Sequence, residues 1–328
     1  MFFTSRRHPS RRSSAGRVAP VIALALGARG ALGAGGARLA VTTLAILAAA
    51  AGALATAPGA AAATTTPGAD SRAMWVWDTS TPAATVDLAV STGIDQLFVA
   101  VPPNVTTSSR LPEIKDLVGR ARAAGIRVDA LGGDPGWVDN PSWVVTYWLK
   151  PAKNTGLFTG IHVDVEPYST SAWTTDQPTV VAKYLTLLDK LKANAGTYPV
   201  EADIPFWFGE IPATASSGAA SSLDREIMKR TAGVTVMSYR NTATGPDGTL
   251  DVAAAALAAG ASLGKPVRLG QETNYLGSTA VDAKQTFFGW TRTDMEVQLA
   301  QVVAGASGSA TFAGLAIHDA SGYAAMAP

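Results

Sequence analysis

Eight short runs rich in Val, Ile, Phe and Trp recur along this chain, and stretches of helical spacing or composition separate them. The runs cover residues 73–78, 95–102, 127–133, 160–167, 200–208, 234–241, 267–274 and 312–319. Their starts lie 22, 32, 33, 40, 34, 33 and 45 residues apart, a spacing near that of one strand-plus-helix unit. Helices are expected over 111–124, 178–195, 250–263 and 293–304. Strands that alternate with helices pair in parallel. Eight such units in roughly 250 residues make a closed (β/α)₈ barrel. A doubly wound sheet is the competing arrangement. It would place a Gly-rich phosphate turn after the first strand, where this chain has Trp77-Asp78-Thr79-Ser80-Thr81-Pro82. The expected fold is therefore α/β, a single (β/α)₈ TIM barrel over 73–328, preceded by a signal segment (1–63) and a spacer (64–72).

The first 63 residues differ from the rest. They hold seven Arg, beginning with Arg6, Arg7, Arg11, Arg12 and Arg17, and no acid. An Ala/Leu-rich stretch follows, strongest over 39–57, and small residues fill 60–63. A basic head, an apolar middle and a small-residue exit form a secretory signal. If uncleaved, the apolar stretch is long enough to act as a membrane anchor. Either way the body is expected outside the cytoplasm, secreted or held at the cell envelope. Without the leader the charge balance becomes 19 basic against 25 acidic residues, about −6. That balance argues against a nucleic-acid partner.

Cys is absent, which excludes disulfides, thiol nucleophiles and Cys-ligated metals. One of the three His, His8, lies in the leader, so a three-His metal site is impossible in the body. The sequence has no phosphate loop, dinucleotide fingerprint or Gly-x-Ser-x-Gly elbow. No metal and no cofactor are expected, and the body reads as a monomer.

In a barrel of this kind chemistry sits where strands end. The fourth run, Gly160-Ile161-His162-Val163-Asp164-Val165-Glu166-Pro167-Tyr168, alternates strictly. Side chains two apart share a face, so His162, Asp164 and Glu166 point into the barrel while Ile161, Val163 and Val165 face the helices. Glu166 is at the mouth, with Asp164 one layer deeper. A carboxyl that is crowded by another and partly desolvated keeps its proton to higher pH, as a general acid requires. Buried structural pairing is the competing use of these groups.

The same parity argument sends Arg268 and Glu272 inward on the seventh run, and Tyr239 and Asn241 inward on the sixth. Asp203 and Trp207 share the barrel side of the fifth run. His318 points inward on the eighth, and Asp78 closes the first. Together they describe an acidic cup with aromatic walls. All eight Trp lie in the body. Flat rings stack on sugar faces, and Trp207, between Phe206 and Phe208, is the best platform. Trp75 and Trp148 read as core.

Residues 159–166 resemble the fourth-strand motif of family-18 glycoside hydrolases, the chitinase group, whose pattern is Asp-Gly-x-Asp-x-Asp-x-Glu. Asp164 and Glu166 match its last two acids, while Thr159 and His162 replace the first two. Met237-Ser238-Tyr239 is similar to that family's Met-x-Tyr segment on strand six. The resemblance implies that Glu166 protonates the leaving oxygen. It also implies that Asp164 orients a substrate acetamido group and Tyr239 hydrogen-bonds that group as it attacks. Glu166-Pro167 together with Glu272 is also similar to the retaining (β/α)₈ clan that carries its acid/base on strand four and its nucleophile on strand seven. There Val165 replaces the usual Asn, and Glu272 would be the nucleophile.

The leading expectation is an exported glycoside hydrolase acting on a polysaccharide or glycan. Its catalytic set is Glu166, Asp164 and either Tyr239 or Glu272. Asp78, His162, Asp203, Trp207, Asn241 and His318 are the expected substrate-binding residues. A non-catalytic carbohydrate-binding barrel is the alternative. A third reading is another hydrolase, or a metal enzyme drawing ligands from Asp78, Asp164, Glu166 and His318; no spacing demands a metal.

Overall fold

The computed structural model describes residues 67–328. The expected signal segment (1–63) and the start of the spacer lie outside the described residues. Eight strands close a parallel barrel: β1 (Arg72–Val76), β2 (Gln96–Ala100), β3 (Arg127–Gly132), β4 (Gly160–Val163), β5 (Val200–Pro205), β8 (Gly233–Met237), β9 (Val267–Glu272) and β10 (Phe312–His318). Every neighbouring pair is parallel, and β1 pairs with β10 to close the ring. All eight expected runs hold a strand. A short antiparallel hairpin, β6 (Pro212–Thr214) and β7 (Ala220–Ser222), follows β5 and was not expected. Its strands are only three residues long and largely polar, too short for an alternation signal.

The four expected helices form at Leu111–Ala123, Gln177–Ala195, Thr249–Leu263 and Arg292–Ala306. The first buries Ile114, Leu117, Val118 and Ala121, the i, i+3, i+4, i+7 stripe of a surface helix. Gln177–Ala195 begins where the Asp176 side chain accepts from the Thr179 amide, and it ends at Gly196 with φ 69°. Only Gly adopts that conformation cheaply. Among the described residues no helix is long and apolar enough to cross a membrane.

The molecule has two cores of different character. Between strands and helices lies a large apolar layer that includes Ile161, Val163, Ile204, Val236 and Leu269. Inside the barrel only a small apolar cluster forms around Trp75, Phe98 and Leu131. The rest of the interior is ionic and hydrogen-bonded. Arg268, fully buried, donates to Glu201 at 3.1 Å and to Gln96 at 2.8 Å. Gln96 donates to Asp129 at 2.6 Å. His162 has no exposed surface and lies flat against Phe98, with ring centroids 3.6 Å apart. Its Nε2 meets Asp203 at 2.8 Å, and Asp203 also accepts from the Trp75 indole at 2.9 Å.

In this floor each acid has a cation or a donor. Burial opposes the Glu201 charge, but Arg268 and His162 outweigh it and hold the carboxyl at about 2. Burial likewise opposes a proton on His162, and Asp203 outweighs it, raising the imidazole to about 9. The floor therefore packs Arg268 and His162 against Glu201 and Asp203, with the buried His162 Nδ1 and Arg268 Nε left without hydrogen-bond partners, and such a network loses much if one member is removed.

Candidate active site

The mouth above this floor is built differently. The fourth strand ends at Val163, shorter than its alternation suggests. The Asp164 amide still donates to the Gly132 carbonyl at 3.0 Å, so Asp164 keeps its strand-like position while Val165 and Glu166 leave the sheet. Pro167 cannot continue a ladder and starts a short turn, Pro167–Ser169. That turn brings Tyr168 back over Glu166, and the Tyr168 hydroxyl donates to Glu166 Oε1.

Glu166 is half-buried and has no cation in salt-bridge contact. Burial raises its pKa above the usual carboxylate value. The Tyr168 hydrogen bond works in the opposite direction, and the net direction is upward. Asp164 is pushed well above its ordinary value by burial, then by the charges of Asp203 and Glu166. Among the described residues the buried Asp164 Oδ1 has no hydrogen-bond partner. A buried carboxyl oxygen without a donor favours the protonated acid, which can itself donate.

Tyr239, half-buried, joins the same mouth. Burial and the charges of Glu272, Asp164, Asp203 and Glu166 all hold its hydroxyl protonated. Its ring lies 6.0 Å from the His318 ring. Among the described residues the Tyr239 hydroxyl makes no hydrogen bond, so its proton is free for a ligand.

Glu272 belongs to the wall. It is 3% exposed. Oε1 accepts from the amides of Thr273 and Asn274 and from the Asn274 side chain, at 2.8, 2.7 and 3.0 Å. Oε2 faces His318 Nδ1 at 2.8 Å. Glu272 thus has hydrogen-bond partners on both oxygens, three on Oε1 and one on Oε2. Its contact with Nδ1 fixes the orientation of the His318 ring. The Trp77 indole, which can only donate, meets His318 Nε2 at 3.0 Å. Burial opposes a second proton on His318, while Glu272 and Asp319 raise the imidazole to about 9. The hydrogen bonds decide between these tendencies. Two N–H groups cannot face each other at 3.0 Å, so this geometry holds neutral His318 with its proton on Nδ1.

The other expected substrate-binding residues scatter. His162 and Asp203 are sealed in the floor and reach no solvent. Their parity is inward, but Trp75 and the mouth residues lie above them. Asp78 is exposed, and its Oδ1 accepts from the Ser80 amide at 2.9 Å, a local turn. The Asn241 side chain donates to the carbonyls of Ala283 and Thr286, bracing the loop after β9. Trp207 packs edge-on against Tyr168 at 5.2 Å and beside Trp173 and Phe208, half-buried behind the acid. Trp75 and Trp148 are fully buried, as core.

Two features escape a strand-by-strand reading. Tyr168 follows Glu166 by two residues, and only the turn at Pro167 makes them partners. A groove of about 670 Å³ is lined by Trp77, Trp137, Trp143, Arg110 and Asp134 from the segments after β1, β2 and β3, and Asp164, Glu166, Tyr239 and Glu272 are not among its lining residues. No local motif marks it, because its residues come from three separate loops. Among the described residues no group of His, Asp and Glu is placed to hold a metal ion.

No family model and no curated protein matches the chain. Solved structures do resemble it. A chitinase from Bacteroides thetaiotaomicron superposes with a TM-score of 0.53 at 10% identity, over 77% of this chain and 90% of that one. A GH113 β-1,4-mannanase superposes with a TM-score of 0.51 at 10% identity, over 79% and 90%. At this identity the likeness is one of fold: the chain is a (β/α)₈ barrel like theirs.

Proposed function

We propose that this protein is an exported glycoside hydrolase in which Glu166 is the general acid. One observation carries the reading. Glu166 stands at the mouth of the barrel with a raised pKa, held by Tyr168, directly above a second carboxyl, Asp164, that has an unpartnered oxygen. A structural acid would have a cation or a set of amide donors, as Glu201 and Glu272 do. The superposed chitinase and mannanase support glycan chemistry for a barrel of this shape. Export rests on the leader sequence alone.

In the proposed reaction the protonated Glu166 gives its proton to the glycosidic oxygen as the bond from that oxygen to the anomeric carbon breaks. Glu166, now a carboxylate, takes a proton from the water that completes hydrolysis. The occupied oxygens of Glu272 weigh against it as the nucleophile. The open donors, Asp164 and the Tyr239 hydroxyl, suit a substrate that supplies its own nucleophile through a 2-acetamido oxygen. Asp164 orients that group, and Tyr239 hydrogen-bonds its oxygen as it closes on the anomeric carbon.

The purified body and its Glu166→Gln variant should be assayed on chitin, mannan and peptidoglycan fragments. Turnover by the parent and its loss in the variant are expected; equal product from both would sink the proposal. The sequestered Glu272 also favours a second reading, a barrel that binds glycans without cleaving them. That reading predicts saturable binding, no product, and affinity unchanged by Glu166→Gln.

A further inference from the structure

The groove beside the acids holds a cation that no carboxylate neutralises by contact. Arg110, half-buried at the start of helix Leu111–Ala123, donates one guanidinium nitrogen to the Trp77 carbonyl at 3.2 Å and to the Thr79 hydroxyl at 3.0 Å. These neutral acceptors fix the guanidinium on the groove wall. Among the described residues Arg110 forms no salt bridge. Asp78, whose carboxyl the Ser80 hydrogen bonds and the Arg110 charge hold below its ordinary value, is turned to the Ser80 amide, and Glu113 is linked to Arg110 only through the Thr79 hydroxyl. The groove's own acid, Asp134, caps the turn after β3 through the Gly136 amide at 2.8 Å. Nε and the second terminal nitrogen of Arg110 make no protein hydrogen bond. Nε–H and the Nη1 hydrogens lie on separate edges of the guanidinium, so each remains available as a single charge-assisted donor to a carboxylate oxygen.

The aromatic residues set the kind of molecule that carries that carboxylate. Trp77, Trp137 and Trp143 contribute to the walls, and Trp143 is 42% exposed. Indole faces beside a fixed cation suit a ring with an apolar face and an acidic substituent. The groove borders the acid centre at two points. Trp77 lines it and donates to His318 in the mouth. The Gly133 Cα lies so close to the Asp164 carbonyl that a Cβ would come within 1.7 Å of it.

We infer that the groove is a binding subsite for an acidic sugar, and that Arg110 recognises its carboxylate one or more residues away from the scissile bond. This deepens the glycosidase reading and rests on it. The substrate is then an anionic glycan, in which at least one sugar carries a uronic or lactyl carboxyl group.

Matched pairs test it. β-1,4-Mannuronate oligomers are compared with β-1,4-manno-oligosaccharides, and glycan strands of alternating N-acetylglucosamine and N-acetylmuramic acid with chito-oligosaccharides. Affinities are read by calorimetry with the full body in its Glu166→Gln form, so that no ligand is consumed. In at least one pair the acidic member should bind ten-fold or more tightly than its neutral partner, and the preference should weaken with salt. Adding Arg110→Met should erase the preference and leave neutral binding in place, whereas Arg110→Lys should keep part of it. A melting curve for each variant confirms that the fold survives. Equal affinity within both pairs, or a preference that outlasts Arg110→Met in a folded protein, overturns the subsite. In that case binding and cleavage of the neutral oligomers would leave the glycosidase reading intact. If no oligomer of either kind binds, both readings fall.

Discussion

The floor of the barrel and its mouth both bury acids, yet they treat them in opposite ways. In the floor Glu201 faces Arg268 and its pKa falls to about 2, while Asp203 lies between His162 and Trp75. In the mouth, Asp164 and Glu166 have no cation in salt-bridge contact and their pKa values rise. Burial alone therefore does not mark a reactive carboxyl. What distinguishes the two layers is whether the charge was given a partner when it was taken out of water. The layer without cations is also the less deeply buried one: Asp164 and Glu166 are half-buried, whereas His162 and Asp203 are sealed.

The largest effect expected from this contrast is on chemistry. Glu166→Gln should lower kcat by about 10³-fold, within the usual reach of general acid catalysis, with the melting temperature nearly unchanged. A folded variant that keeps full turnover would remove the mouth from the mechanism. The floor should respond in stability instead. Arg268→Met leaves Glu201 buried without its partner, which costs about 3–5 kcal/mol, or roughly ten degrees of melting temperature in a domain of this size. The fraction that remains folded should still turn over.

A smaller effect sharpens the assignment of Tyr168. Its hydrogen bond favours the Glu166 carboxylate and so lowers that pKa against burial. Tyr168→Phe removes it, and the Glu166 pKa should climb further. The alkaline limb of the pH–rate profile, where Glu166 loses its proton, should then move upward by about one unit. An unmoved limb would detach Tyr168 from the acid.

The smallest effect concerns Asp164. Its folded pKa is raised, so its contribution to stability is fully present below the unfolded value and is lost as pH rises through the folded one. Asp164→Asn should therefore raise the melting temperature by a few degrees at pH 8, on the order of 1 kcal/mol, and change little at pH 3. Glu201 has the reverse sign. Its stabilisation is present above the unfolded carboxyl value and disappears as pH falls toward about 2. A parent protein that loses stability as pH rises above 5, and regains it with Asp164→Asn, would show both behaviours in one molecule.

Much of the architecture was legible because period-two runs and helical stripes repeat eight times, and repetition corrects local ambiguity. The inward parity of His162, Asp203, Arg268, Glu272 and His318 could be read for the same reason. Depth could not. Alternation states which face a side chain takes, not how high on the barrel it sits, and His162, Asp203 and Glu272 belong below or within the wall. Partnerships across loops were also out of reach. Asn241 is used up on Ala283 and Thr286, and Arg110 joins a groove from 33 residues after Trp77, through contacts that no spacing encodes.

Gly133 marks a limit on how this protein can diversify. Any side chain there would have to displace the peptide that carries Asp164. Drift at that position is closed, and the segment just after β3 cannot be re-lined by substitution as an exposed loop can. New specificities in such a lineage would have to arise farther out, by lengthening the stretch beyond Gly136 or exchanging rings such as Trp143, while the acid pair and its glycine buttress pass unchanged from ancestor to descendant.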